Sequence, residues 1–367
     1  MTGGFGSDFA DGHADDDVVE LYNYQLPQDL IAQTPAEPRD SSRLLVFSAA
    51  DNSVIHSQFA NLADFLRPGD CLIANDSRVI PARLHGVKTQ TGGKVEILLL
   101  SHRVEYGPTA WEALVKPGSG SYQGAEYTFA GGLTAQVLAE APSGGRILAL
   151  RAQGSEDPAA VERAITLCGE TPLPPYIHET LQNPERYQTV YARLQGSAAA
   201  PTAGLHFTEP LIADLRRKGI QFGFVTLHVG LDTFRPVSEA RLSEHVIHSE
   251  YAVVPQETAD LIQQTKANRG RVIAVGTTSV RALESAAQEC GDVRQFAGYT
   301  RLFITPGYIY KAIDGVITNF HLPKSTLLAM ISAYVGREKL LELYTIAIQN
   351  RYRFYSFGDA ALLISPR

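Results

Sequence analysis

Apolar and polar positions fall into three textures along this chain. Up to residue 84, short apolar runs are broken by prolines. In "YNYQLPQDLIAQTPAEPRDSSRLLVFSA", Pro27, Pro35 and Pro38 exclude a long helix ahead of a strand over residues 44–47. "FANLADFLRPGDCLIANDSRVIPARL" sets Leu62, Phe65 and Leu66 at helical spacing and stops at Pro68 and Gly69. It resumes as an apolar strand over 71–74 with a polar exit, Asn75 to Arg78.

Between 85 and 155 the helical period disappears. Apolar runs over 94–100, 111–115, 133–138 and 146–151 are separated by "TGGK", "KPGSGS", "AGG" and "PSGG". Regular short strands with Gly-rich turns predict a small barrel or sandwich, read here as an inserted barrel. From 156 onward helix and strand alternate, with a helix over 159–168 and the proline turn "TPLPPYI". In "FTEPLIADLRRKGIQFGFVTLHVG", Thr208 caps a helix whose apolar face is Leu211, Ile212 and Leu215, Gly219 ends it, and a strand over 220–229 follows. "RVIAV" leads into "GTTSVRALESAAQ", and "DGVITNF" into "HLPKSTLLAMISAYVG". "RYRFYSFGDA" reads as a half-buried strand with Tyr352 and Phe354 on one face. The predicted architecture is α/β: a larger α/β domain (21–84 and 156–367) with an inserted small β-barrel domain (85–155), after a disordered acidic tail (1–20).

Composition refines this picture. Of 367 residues 44% are hydrophobic and 19% charged, a globular balance, and no apolar run approaches membrane-spanning length. The net charge of −7 disfavours a nucleic-acid partner at first sight. Six acidic residues and no Lys or Arg lie in residues 1–20, however. The remainder carries 33 acidic against 32 basic residues and can present a basic face. Cys71, Cys168 and Cys290 are far apart, which argues against a disulfide framework, a zinc site or a cysteine nucleophile. "HVIHSEY" brings His245, His248 and Glu250 together without a helical frame, so no metal is expected there. A cytoplasmic location and a monomer are expected.

Ligands of open α/β sheets bind beyond the carboxyl ends of strands, where helix N-termini offer unpaired N–H groups. Three exits here are unusually polar: "TLHVG" with His228, "GTTS" with Gly276, Thr277, Thr278 and Ser279, and "TNFHLP" with Asn319 and His321. The loop "APTAGLHFTEP" adds Thr202, Gly204 and His206. The plainer alternatives are structural histidines and, for "GTTS", a helix cap supplied by Thr278 or Ser279.

Taken together, "LPQDLIAQTPAEPRDSSRLLV", "PGDCLIANDSRVIPARLHG", "GGKVEILLL", "TPLPPYI", "RYQTVYA", "AAPTAGLHF", "FVTLHVGLDTFRPV", "HSEY", "VIAVGTTSVRALES", "TNFHLPKSTLLAMISAYVG" and "YRFYSFGDA" resemble the S-adenosylmethionine:tRNA ribosyltransferase-isomerases of queuosine biosynthesis. The resemblance implies a transferase that moves and isomerises the ribosyl group of S-adenosylmethionine onto the aminomethyl-deazaguanine (preQ1) at the tRNA wobble position. It implies epoxyqueuosine-tRNA as product, release of adenine and methionine, and S-adenosylmethionine as co-substrate with no metal. "GLDTF" stands where many relatives carry a second Gly, so Asp232 is not taken as catalytic, and Asp76 or Asp232 is a candidate to favour the sulfonium charge.

That chemistry needs a base for the ribose carbon beside the sulfonium and an acid for departing adenine, and histidine suits both near neutrality. The expected catalytic residues are therefore His206, His228 and His321, gathered over the strand exits. Thr202, Gly204, Gly276, Thr277, Thr278, Ser279, Asn319, Asp76 and Arg78 are expected to bind substrate. Arg83, Arg351, Arg353 and Tyr352 are expected to contact tRNA, through backbone charge and base stacking. Two rivals are an S-adenosylmethionine-dependent methyltransferase, for which the late, single-Gly "AVGTTS" is a poor match, and a non-catalytic RNA-binding module.

Overall fold

The near-continuous apolar runs "CLIA", "VIAV" and "GVIT" are what a strand needs when helices cover both its faces. In the computed structural model, which describes residues 15–141, 144–230, 236–247, 249–288 and 291–365, these runs are the fully buried strands Cys71–Asn75, Val272–Val275 and Gly315–Asn319. They form the centre of a nine-stranded mixed sheet. Its order is Phe296–Thr300, Glu250–Val254, Gln221–Leu227, Cys71–Asn75, Val272–Val275, Gly315–Asn319, Ala360–Ile364, Arg43–Ser48 and Ser53–Gln58.

Four neighbours, Gln221–Leu227, Cys71–Asn75, Val272–Val275 and Gly315–Asn319, run parallel. Their carboxyl ends therefore share one edge of the sheet. The period-2 alternation of each strand feeds two cores. Ile73, Ala274 and Val316 pack with Val280, Leu283 and Leu328 of the helices Thr277–Ala287 and Thr326–Val335. Leu72, Ile273 and Ile317 pack with Phe59, Leu62, Leu211 and Leu215 on the opposite face. The helix Glu209–Arg217 begins where expected, because Thr208 Oγ1 accepts from the Leu211 amide at 3.2 Å.

The inserted unit is a closed, antiparallel, six-stranded barrel. Arg83–Lys88, Lys94–His102, Ala110–Lys116, Arg146–Ala152, Leu133–Glu140 and Glu126–Phe129 pair in that order, and Glu126–Phe129 returns to Arg83–Lys88. Closure requires glycine at Gly86, where a Cβ would lie 2.6 Å from both the Thr128 carbonyl and the Phe129 ring. The first strand starts at Arg83, and the helix Pro158–Cys168, read from sequence with the α/β part, seals the barrel instead. Its Val161, Ala164 and Ile165 enter the core around Leu84, Leu148 and Leu150.

Two further expectations are corrected by the packing. Residues 1–14 of the acidic tail lie outside the described residues, but Asp15–Asp17 and Val19–Tyr22 form 3-10 turns and are not disordered. The Asp17 carboxylate accepts from the Ser243 amide and hydroxyl at 2.8 and 2.7 Å, and the Val19 amide reaches the Ala240 carbonyl at 3.0 Å. The "RYRFYSFGDA" stretch is irregular up to the strand Ala360–Ile364. Arg351 and Tyr355 have positive φ there, and Tyr352 and Phe354 pack into an aromatic cluster with Phe320. Among the described residues no helix is long and apolar enough to cross a membrane.

Candidate active site

Because four parallel strands end on one edge, their polar exits and the loops beside them are brought together. A cavity open to solvent lies there. Thr202, Gly276, Thr277, Thr278, Asn319 and His321 line it, so six of the sequence-derived candidates meet.

At one wall the helix Thr277–Ala287 begins. Gly276 precedes it with φ +87°, a conformation that favours glycine, and the Val280 amide makes the first intrahelical bond, to the Gly276 carbonyl at 3.2 Å. The three amides before it belong to the positive end of the helix dipole. No side chain caps this terminus. Ser279 Oγ turns back to the Val275 carbonyl at 2.8 Å, and Thr278 Oγ1 is buried with no hydrogen-bond partner. The capping alternative is thus unrealised. The wall keeps donors and a hydroxyl for an anionic or hydroxylated ligand.

The histidines occupy three different settings. His321 lines the cavity; its Nε2 lies 2.7 Å from Thr318 Oγ1, and its backbone is fixed by an N–H bond to the Tyr344 hydroxyl and a carbonyl bond from the Tyr24 hydroxyl. Burial pushes its pKa down to about 3, so the ring is neutral at pH 7. His206 does not line the cavity. It stacks on buried Phe59 with ring centroids 5.0 Å apart, and its nitrogens meet Ser42 Oγ at 2.7 Å and Asn319 Nδ2 at 3.2 Å. Burial, and then the charges of Arg353 and Arg39, hold its pKa at about 3. His228 is also away from this cavity. Its ring lies on Gly196, where a Cβ would come within 2.9 Å, and its Nδ1 is buried without a partner. Burial lowers its pKa, with a partial opposing effect of Asp76. The three rings do not converge on one cavity, because apolar packing holds His206 one residue behind the wall.

The remaining candidates separate in the same way. Asp76 is a buried carboxylate taken up by Thr226 Oγ1 at 2.6 Å and by Arg193 Nη2 at 2.9 Å. Gly204 is a packing glycine, since any side chain there would run into the Tyr191 hydroxyl. Arg78 pairs with Glu185, and Arg83 belongs to the first barrel strand. Arg351 is exposed beside Asp29 at 2.7 Å, and Arg353 Nη1 donates to the Thr34 carbonyl at 3.2 Å. Tyr352 offers no face to a base: it is fully buried, its hydroxyl meets His56 Nδ1 at 2.8 Å, and the Arg43 guanidinium covers its ring at 3.7 Å. Asp232, His248 and Cys290 lie outside the described residues. Of the histidine cluster's other members, His245 meets Glu239 at 3.0 Å, and Glu250 pairs with Arg281 at 2.5 Å. Among the described residues no group of three or more His, Cys, Asp and Glu is placed to hold a metal.

Sequence reasoning missed Tyr176, Tyr355 and Ser356, which also line the cavity. Tyr176 and Ser356 are joined at 2.7 Å, and the Tyr355 amide donates to the Phe320 carbonyl at 3.1 Å. Their signal lay in "TPLPPYI" and "YRFYSFGDA", two stretches recognised as motifs but read only as a turn and a strand.

Residues 19–363 match the family described as queuosine biosynthesis protein. The chain is 48% identical over 346 residues to the S-adenosylmethionine:tRNA ribosyltransferase-isomerase of Thermoanaerobacter sp. (strain X514), covering 94% of this chain and 99% of the relative. It is 50% identical over 347 residues to the enzyme of the same name from Staphylococcus haemolyticus, with the same coverage. The crystal structure of S-adenosylmethionine tRNA ribosyltransferase from Thermotoga maritima superposes with a TM-score of 0.53 at 35% identity, covering 94% of this chain and all of that one. The chain therefore belongs to the queuosine biosynthesis protein family, the S-adenosylmethionine:tRNA ribosyltransferase-isomerases.

Proposed function

We propose that this protein transfers and isomerises the ribosyl group of S-adenosylmethionine onto the aminomethyl-deazaguanine (preQ1) at the wobble position of tRNA, giving epoxyqueuosine-tRNA, adenine and methionine. A tRNA substrate also favours a cytoplasmic setting. The observation that supports the reading most directly is the uncapped helix at Gly276, with Thr278 Oγ1 buried and unpartnered beside a cavity at the strand exits. The amides and hydroxyls of Thr277 and Thr278 suit the methionine carboxylate. Thr202 and Asn319 face it as polar groups for ribose.

Of the three histidines His321 lines this cavity, which supports giving it the proton exchange with the ligand. The sulfonium acidifies the adjacent ribose carbon. A neutral imidazole takes that proton, and because its pKa is depressed it readily gives the proton up to the departing adenine. The carbon's proton and the leaving group's proton are then the same one. His321→Gln should lower kcat by about a hundredfold or more, with S-adenosylmethionine affinity largely kept.

Incubation with S-adenosylmethionine and tRNA bearing preQ1 tests the whole reading. Adenine and methionine should appear together with the tRNA mass gain of a ribosyl-derived ring. S-adenosylhomocysteine as product would show methyl transfer instead, and no turnover would leave a binding module.

A further inference from the structure

Ser42, His206, Asn319 and Thr202 form one unbroken line of hydrogen bonds from the core to the cavity wall. Ser42 Oγ lies 2.7 Å from His206 Nδ1, His206 Nε2 lies 3.2 Å from Asn319 Nδ2, and Thr202 Oγ1 lies 3.0 Å from Asn319 Oδ1. Ser42, His206 and Asn319 are buried, while Asn319 and Thr202 line the cavity. A carboxamide has one donor end and one acceptor end, and a neutral imidazole has one of each, so orienting any link orients the rest.

Facing the Asn319 amide nitrogen, His206 Nε2 is the lone-pair nitrogen. The ring hydrogen is then on Nδ1 and is donated to Ser42 Oγ. At the other end, the Asn319 oxygen takes the hydroxyl hydrogen of Thr202. What Thr202 has left for a ligand is its oxygen lone pairs. The line holds only while His206 is neutral, since an imidazolium would point a second N–H at the Asn319 amide nitrogen. The burial of the ring, and then the nearby charges of Arg353 and Arg39, maintain that neutral form.

We propose that Ser42, His206 and Asn319 set the polarity of Thr202, making it a dedicated hydrogen-bond acceptor that selects a hydroxyl or amine donor on the substrate. His206 is thereby a positioning residue rather than a catalytic one. The inference rests on S-adenosylmethionine occupying this cavity, and the donors that molecule brings are its two ribose hydroxyls, its ammonium group and the amino group of its adenine.

Calorimetric binding to the full-length protein tests it, with S-adenosylmethionine and four analogues as ligands, each lacking one donor: the 2′-hydroxyl, the 3′-hydroxyl, the methionine ammonium or the adenine amino group. Thr202→Val should weaken S-adenosylmethionine binding about tenfold and have no further effect on the one analogue that lacks the donor Thr202 accepts. His206→Phe preserves stacking on Phe59 but frees the Asn319 amide to turn, and should lose about as much. His206→Gln returns an amide oxygen to the Nε2 position and should recover affinity to within about threefold of wild type.

Equal binding by Thr202→Val and wild type would overturn the proposal. So would a His206→Gln variant that binds normally yet loses kcat together with one limb of the pH–rate profile, because that pattern marks a proton-transferring group. Should the ring variants fail to fold, Ser42→Ala removes the anchor at the far end and should weaken binding in the same direction; unchanged binding there is equally fatal. A bulky Thr278→Phe that leaves wild-type affinity intact would overturn the placement of S-adenosylmethionine, and this inference with it. Loss with Thr278→Phe but none with Thr202→Val would overturn the relay alone.

Discussion

The parallel centre of the large sheet and the antiparallel barrel solve the same packing problem with opposite consequences for chemistry. Strands that run parallel must each be followed by a crossover, so their exits, and the helix starts after them, accumulate on one edge. Gly276, Asn319 and His321 are neighbours for that reason. Antiparallel strands turn back at once, and their exits alternate between the two ends of the barrel. Turns such as Gly92, Gly120 and Gly131 satisfy their own local geometry and are spread over the surface. The sheet therefore gathers polar groups at one place, and the barrel disperses them around a closed apolar core.

Acid should expose this difference most strongly. His206 and His321 each have a folded pKa of about 3 against an unfolded value near 6.5, so the unfolded chain binds more protons between those limits. Stability is fully present above about pH 6.5 and falls as pH drops toward 3, by an amount on the order of several kcal/mol for the two together. Both rings sit at the sheet. Trp111, the single tryptophan, sits in the barrel core. The helical circular dichroism should fade at a higher pH than the red shift of the Trp111 emission maximum. Coincident transitions would show that the barrel has no separate acid resistance.

Leu148→Ala offers the converse. Leu148 is fully buried in the barrel core, and its truncation should cost about 2–5 kcal/mol of stability while kcat per folded molecule stays near wild type. A fall in kcat comparable to that expected for His321→Gln would mean that the barrel takes part in chemistry, and the division of labour would be wrong.

The same contrast explains what could be read from sequence. The apolar runs of the central strands, the Thr208 cap and the Gly-punctuated barrel strands are local patterns, and each formed close to its expected position. His206 could not be placed in that way. Its neighbours Pro, Thr and Gly describe a loop, and only tertiary packing against Phe59 and Ser42 turns the ring away from the cavity. Tyr352 failed for a related reason: alternation assumed a strand, but positive φ at Arg351 and Tyr355 breaks the period and folds the ring into the core. That irregularity is also what delivers Tyr355 and Ser356 to the cavity.

With Tyr352 enclosed, the tRNA contacts proposed for this stretch reduce to its two arginines, which differ in exposure. Arg351 has a side chain 71% exposed and pairs with Asp29, itself 58% exposed. Such a pair gives up little when a phosphate replaces the carboxylate. Arg353 is tied to the Thr34 carbonyl and lies 3.7 Å from Asp359, so it is less available. Arg351→Ala should weaken tRNA binding modestly, without altering S-adenosylmethionine affinity, and should reduce the slope of log affinity against log salt by about one. Arg353→Ala should leave the slope nearly as it was. If the two variants lower it equally, the exposed edge beside Asp29 has no special part in holding the nucleic acid, and the charge that attracts tRNA must be sought on the barrel side, beginning with Arg83.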